Sequence, residues 1–577
     1  MNKTISFYLL FLLILVNLIS CRQKTDPERD FRVIPLDGGN SMEISEYVGG
    51  KQFIVIPTRI NRKPVTSIGE GAFANKEIIS VSIPRTVIAI GDSAFFNNKI
   101  TEVIIPNRVT SIGEKAFMSN QLINLVIGKR VKAIGNNAFD ENELTNVKIP
   151  NSVTTIGNNA FCCNKLDSVI LGNKVTSIGN QAFIPGRLGE SRLQRIIIPN
   201  SVIAIGNGAF LNQQLQRVIL GKNIETIGDY AFGNNQINAI LLPNSVREIG
   251  ALAFGNNEIK NLTIPNNVTT IGDYVFANNQ IISLVLPNDV REIGTLAFGN
   301  NQIKSLTIPN NVTTIGRQAF FNNELTSIMI PNSVTTLGVA AFAKNPIIEI
   351  TTASDNENFV IKDSFLFNKD ESELFLYWGA NKDIVIPESV KRIAGGAFWG
   401  RQLTSVTIPD GITVIQHYTF FENNLTSISI PNSVFVIGQR AFADNQLSSI
   451  SIPNNVLEIM SYAFANNQLS RITLSNRLVT IGEYAFAHNQ LTSISIPTSV
   501  NEINRAAFLG NTLSTITIGR RVDLVDSPDF VVIDVLFDMQ YTLSSDMHYT
   551  APNPPAPGFS RAAGTYVRRN DGWWRRT

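Results

Sequence analysis

The chain has 577 residues, a formal net charge of +2 and 16% charged residues, well under the roughly 25% of an average soluble domain. Nothing here marks a basic nucleic-acid binder. The three cysteines, Cys21, Cys162 and Cys163, make neither a disulfide framework nor a paired-cysteine zinc motif.

Taken in order, residues 1–20 (MNKTISFYLLFLLILVNLIS) have a basic start and an apolar stretch. That pattern predicts an export signal that is removed, too short to span a membrane as a helix. Leu18-Ile19-Ser20-Cys21 matches a bacterial lipobox, which places cleavage before Cys21 and a lipid on it; several acyl chains give a stable anchor. Arg22 follows, not the Asp that retains some lipoproteins at the inner membrane, so an outer-membrane or cell-surface position is expected. Residues 21–45 read as a tether. Residues 46–64 look like an altered first coil or cap of a first array covering 46–350.

That array is built on a repeat. A core Phe, usually after Ala, recurs every 22 residues at Phe73, Phe95, Phe117, Phe139, Phe161 and Phe183, then from Phe210 to Phe342, and again from Phe398 to Phe508. A period of this size means a solenoid whose units bury their apolar faces only by stacking. The clearest unit is PNSVTTIGNNAFCCNKLDSVI, Pro150 to Ile170. Its closing L-x-x-V/I-x-I alternates like a half-buried strand. Ile156-Gly157 ends a second short strand, with Gly expected to supply a positive-φ turn. A short helical turn is expected to carry Ala-Phe into the core. The Asn before the strand, such as Asn164 or Asn279, is expected to bond free backbone groups of the neighbouring coil.

The strings IPNSVTTIGNNAF, IPNSVTTLGVAAF and IPTSVNEINRAAF resemble the BspA-type (treponemal) leucine-rich repeat family of bacterial surface proteins. The usual family unit is one residue longer and often has Cys or Ser where this chain has Asn. The resemblance implies an α/β repeat solenoid: a leucine-rich repeat array of short strands and short helical turns. It also implies adhesion to host extracellular-matrix proteins or to other bacteria.

Residues 185–191 insert a loop, and Leu242–Gly272 and Leu286–Gly316 are near-identical two-coil blocks. Residues 351–390 break the period and read as paired strands at Phe359–Ile361, Ser364–Asn368 and Glu373–Tyr377. The acidic Asp355, Glu357, Asp363, Asp370 and Glu371 there fit no calcium loop and read as solvated turns. A second array covers 391–518. Its Gly marker is replaced at Ala394, Gln416, Met460 and Asn504. Residues 519–577 read as a C-terminal cap and tail: Phe530, Val532, Val535 and Phe537 over the last coil, a Pro-rich linker, then a hairpin turning at Asn570-Asp571-Gly572. Trp573 and Trp574 among Arg568, Arg569, Arg575 and Arg576 leave membrane contact or ligand stacking as the alternative to an edge-closing hairpin.

No catalytic motif is present. His417, His488 and His548 are scattered and read as surface residues, and Cys162 and Cys163 as loop residues of one coil, with a redox or metal role for the pair as the alternative. No metal or cofactor is expected. A glycan-active enzyme would need a carboxylate pair in a groove, which a repeating Asn/Ser/Thr surface gives no reason to expect. The residue between the last two core positions of each strand should face outward. In the first array it is apolar at Ile104, Val126, Ile170, Ile197, Ile219, Leu241, Val285 and Met329; in the second it is Thr407, Ser429, Ser451, Thr473, Ser495 and Thr517. An exposed apolar stripe marks a partner site, so these eight residues are the candidate protein-binding surface. The alternative is that neighbours cover them or that these residue types simply favour strand formation. The function expected is a lipid-anchored surface protein that binds proteins; the other reading is an envelope scaffold inside the periplasm.

Overall fold

The computed structural model describes residues 25–186, 192–353 and 356–518, and the backbone of short strands at 523–524, 564–568 and 574–576. The export signal, Cys21, most of the 185–191 loop, Asp355, the apolar residues 530–537 and the tail turn at 570–572 lie outside these residues. Two units divide the chain, Met1–Gln302 and Ile303–Thr577.

The first unit opens with an antiparallel hairpin, Phe31–Leu36 with Ser41–Tyr47. Its second strand pairs in parallel with Lys63–Ile68. Two-residue strands then add one per coil, from Ala89–Ile90 to Glu248–Ile249. Each ends on the Ile of the Ile-Gly pair, as Ile134↔Ile156 and Ile156↔Ile178 show. A second parallel ladder holds the closing strands, such as Glu102–Ile104 with Asn124–Val126 and Arg195–Ile197 with Arg217–Ile219. Between the ladders the core Phe rings stack face to face, with centroids 4.9 Å apart for Phe95 and Phe117 and 5.5 Å apart for Phe161 and Phe183. Such a pair adds about 0.5–1.5 kcal/mol beyond the area it buries.

The third side of each coil differs from expectation. Among the described residues there is no α-helix, so the helical turns of an α/β solenoid are absent and the coil is strand and turn throughout. The reason is visible around each Phe. Asn159 and Cys163, two residues either side of Phe161, both have left-handed φ, 54° and 57°. The N–H groups of Asn159, Phe161 and Cys163 then donate to carbonyls of the next coil, Asn180, Ala182 and Ile184, at 2.8–2.9 Å. A helix would spend those donors inside the coil and leave the neighbour's carbonyls bare.

The marker Gly also works otherwise than expected. Gly157 is not at positive φ. A Cβ there would lie 2.6 Å from Asn136 N and 2.8 Å from Gly135 O of the preceding coil. Gly is needed because adjacent backbones touch. The Asn expectation holds: the Asn164 amide accepts from Leu144 N–H at 2.9 Å and donates to the Phe139 carbonyl at 2.9 Å. Equivalent bonds at Asn98, Asn120, Asn142 and Asn279 make a buried ladder.

In the second unit the coils of Phe320 and Phe342 precede a three-stranded antiparallel insert, Phe359–Lys362, Phe365–Asn368 and Glu373–Tyr377. Its last strand pairs in parallel with Arg392–Ile393. Coils stacked on Phe398, Phe420, Phe442, Phe464 and Phe486 follow. The closing strand Thr515–Ile518 pairs antiparallel with Gly564–Arg568, which pairs with Trp574–Arg576.

Candidate interaction surface

Each closing strand is three or four residues long, and its middle apolar residue points into the core. In Arg195–Ile197 the burial alternates exposed, buried, exposed. Period-two geometry therefore turns Ile197 and Arg195 to the same outward face. Parallel register aligns Ile197 with Ile219 and Arg195 with Arg217.

In the first unit all seven expected stripe residues are exposed: Ile104, Val126, Ile170, Ile197, Ile219, Leu241 and Val285, from 40% at Ile219 to 83% at Leu241. Among the described residues no neighbour covers them. The column is not unbroken: Lys148 is aligned with Ile170, and Thr263 with Val285. Its longest apolar run is Ile170, Ile197, Ile219 and Leu241, on four successive coils. Coils stack at about 4.8 Å. Exposed Arg195 and Arg217 edge this run. Met329 belongs to the second unit, where it is also exposed.

In the second array the equivalent positions Thr407, Ser429, Ser451, Thr473 and Ser495 are exposed and Thr517 is half-buried. Val385, one coil earlier, is apolar and 70% exposed, and sequence reasoning passed over it. A second apolar column was also missed. Phe435, Leu457 and Val479 lie 22 residues apart on the other ladder, and each N–H bonds the carbonyl of the preceding member: Leu457 to Phe435 at 2.9 Å, Val479 to Leu457 at 2.8 Å. The signal was periodic, but at a different phase of the repeat.

Of the three histidines, His548 lies outside the described residues. His417 is exposed and its Nδ1 accepts the Gln439 N–H at 2.9 Å, a structural bond between coils. The acidic residues of the insert sit at its turns: Lys362 pairs with Glu371, and Asp370 accepts from the Ser372 N–H and hydroxyl. Cys162 is buried and Cys163 half-buried, and Asp140 of the preceding coil lies beside them.

Comparison with known proteins agrees with the repeat geometry. Six matches to the BspA type leucine rich repeat region cover residues 66–185, 188–302, 269–372, 292–425, 369–486 and 413–531. No curated protein sequence matches the chain. Among solved structures, it is similar to the pneumococcal vaccine antigen PcpA, with 18% identity, 67% of this chain and 80% of that chain covered, and a TM-score of 0.29. A leucine-rich repeat protein from Bacteroides ovatus gives 20% identity, 84% and 94% coverage and a TM-score of 0.28. YopM from Yersinia enterocolitica gives 15%, 78%, 82% and 0.40.

Proposed function

Since this chain belongs to the BspA-type leucine-rich repeat family, we propose that it is an exported, lipid-anchored protein of the bacterial surface that binds other proteins and mediates adhesion. The observation that carries this reading is the exposed apolar run Ile170, Ile197, Ile219 and Leu241. An apolar band open to water is costly unless a partner covers it. Arg195 and Arg217 beside it favour a partner segment with acidic residues next to apolar ones. The lipobox ending at Cys21 supports an anchor that leaves the array free in water. Host extracellular-matrix proteins and neighbouring bacteria are the partners that fit an outward-facing array.

Two measurements test this. Protease treatment of intact cells should remove the array; survival until the outer membrane is permeabilised would place it in the periplasm and favour an envelope scaffold. Ile197→Ser, Ile219→Ser and Leu241→Ser together should reduce cell attachment to immobilised matrix proteins while thermal unfolding stays unchanged. Attachment equal to wild type would remove the stripe from the mechanism.

A further inference from the structure

We propose that Asp140, Cys162 and Cys163 form a binding site for one thiophilic metal ion of Zn2+, Cd2+ or Cu+ chemistry. The repeat itself assembles the site. Cys162 follows Asp140 by one period, so both occupy the place directly after a core Phe. The coils are locked there by the Glu141 N–H to the Cys162 carbonyl, 3.2 Å, and the Cys163 N–H to the Ile184 carbonyl, 2.8 Å. One ligand atom from each of the three residues lies within 4.8 Å of the others, and the two Sγ atoms are 2.6 Å apart.

Asp140 is out of place by the logic of the fold. The same position is Phe96, Met118, Ile184, Leu211 and Gly233 in nearby coils. Asp140 is nevertheless buried, 6% exposed. Its Oδ2 accepts from the Asn137 amide at 2.8 Å, whereas its Oδ1 has no hydrogen-bond partner among the described residues. A buried carboxylate oxygen left bare is costly, and a cation removes that cost. Two sulfurs and one oxygen are the donor set of a borderline-soft ion, and the half-buried Cys163 leaves a side open for water or an outside ligand.

Without metal the thiols hold their protons. Burial, above all, pushes both upward, Cys162 most strongly, and the Asp140 charge adds to it. Ligation therefore exchanges two thiol protons for the ion, and affinity should rise with pH. Metal–sulfur bonds of about 2.3 Å at a tetrahedral angle place two sulfurs about 3.8 Å apart, so the pair must open by more than about 1 Å from its 2.6 Å separation, a movement assigned to rotation of the less buried Cys163 side chain.

The test is a Cd2+ titration of the purified, reduced full chain, followed by sulfur-to-cadmium charge-transfer absorption. Expected are one ion per chain, tighter binding at higher pH, loss of the absorption in C162S and in C163S, and its retention in C21S. D140N should bind at least about tenfold more weakly, the lower range for disturbing a metal's surroundings. Thermal unfolding of each variant separates lost ligation from lost fold. Competition by Zn2+ or Cu+ shows which ion the site prefers. Absence of saturable binding, absorption that persists in both cysteine variants, or a D140N affinity equal to wild type would overturn the proposal. So would isolation of the chain with Cys162 and Cys163 joined as a disulfide that no metal can enter.

Discussion

Two regions of the chain follow one plan. Tyr47-Val48-Gly49 leads to Ile54-Val55-Ile56-Pro57, and Tyr377-Trp378-Gly379 leads, at the same spacing, to Ile384-Val385-Ile386-Pro387. In each, the Tyr ends an antiparallel hairpin whose last strand opens a parallel ladder, against Lys63–Ile68 and against Arg392–Ile393. Both rings are buried against the first Phe of a stack, Tyr47 to Phe73 at 5.5 Å and Tyr377 to Phe398 at 5.9 Å. In each, the Tyr occupies the space a Cβ would need: 2.5 Å from Gly49 and 2.4 Å from Gly379 to the hydroxyl oxygen. The coil that follows has Gly at left-handed φ two residues before its Phe, Gly71 at 60° and Gly396 at 68°. It also carries Lys76 or Arg401 where interior coils have the ladder Asn. An interior Asn donates to the Phe carbonyl of the coil before it; a first coil has a hairpin there instead. The segment 351–390 is thus less an interruption than the start of a new array.

The difference between the two caps is what lies in front of them. The backbone N–H bonds alike in both, Val48 to the Asp30 carbonyl at 2.9 Å and Trp378 to the Ser364 carbonyl at 3.1 Å, but the Val48 residue is 44% exposed and Trp378 only 8%. Ala74 of the first cap corresponds to Trp399 of the second. Trp399 packs on Phe321 at 4.7 Å and Tyr418 at 5.0 Å, and Lys344 pairs with Glu422 at 2.7 Å. Within the second unit, the turn edge runs directly from the Phe342 coil to the Phe398 coil. The strands between are replaced by the hairpin. A cap that must also receive a preceding coil needs an aromatic seam; one at the start of the stack does not.

The largest expected effect breaks a cap. Tyr377→Ala removes a ring that is 2% exposed and should cost about 3–5 kcal/mol. Because coils interact with nearest neighbours, hydrogen exchange should quicken in 359–420 and stay unchanged around Phe95–Phe161. Tyr47→Ala should do the reverse. Exchange that quickens evenly along the chain after either change would mean that the caps do not act separately.

A smaller effect separates interior coils from first coils. Asn445 accepts the Leu425 N–H at 3.1 Å and donates to the Phe420 and Phe442 carbonyls at 2.9 and 3.1 Å. Asn445→Ala strands these buried groups and should cost about 1–3 kcal/mol. Arg401 sits at the same position in the first coil, with Nε and Nη2 buried and without a hydrogen-bond partner among the described residues. Burial lowers its pKa to about 10. Arg401→Gln should therefore be neutral or slightly stabilising in denaturant unfolding. A loss equal to that of Asn445→Ala would show that the first coil needs its ladder residue after all.

The solenoid was legible because Phe and Ile recur at one period, and the Asn ladder because a buried amide at that period can only serve neighbouring backbone. The turn edge was not, since Ala-Phe after Gly looks helical until the positive φ at residues such as Asn159 is known. The purpose of Gly157 was hidden for a similar reason: contact between coils is a tertiary fact. The stripe from Ile104 to Val285 could be placed on the outward face by strand alternation, but its exposure depended on what lies across it. Asp140 could have been found, because adding one period to it gives Cys162; a search for paired-cysteine motifs along the chain does not look one coil away. The kinship of Tyr47 and Tyr377 was equally written in the sequence, outside the Phe period that drew attention.

The smallest effect sharpens the picture of the second array as an ordinary stack once capped. At the place where Asn136 accepts the Asn158 N–H in the first unit, His417 Nδ1 accepts the Gln439 N–H. Only neutral imidazole can do this. Burial chiefly, then Arg317, lowers the His417 pKa, with Glu458 opposing. A histidine whose pKa is lower folded than unfolded stabilises the fold above its unfolded value, about 6.5. That contribution is lost as pH falls through the folded value. His417→Asn keeps the acceptor and cannot titrate. The variant should match wild type in Tm at pH 7.5 and exceed it at pH 5 by about a degree, in keeping with one exposed bond in a large chain. If wild type instead gains on the variant on acidification, attraction to Glu458 outweighs the lost inter-coil bond, and His417 is not standing in for the asparagine that Asn136 represents in the first unit.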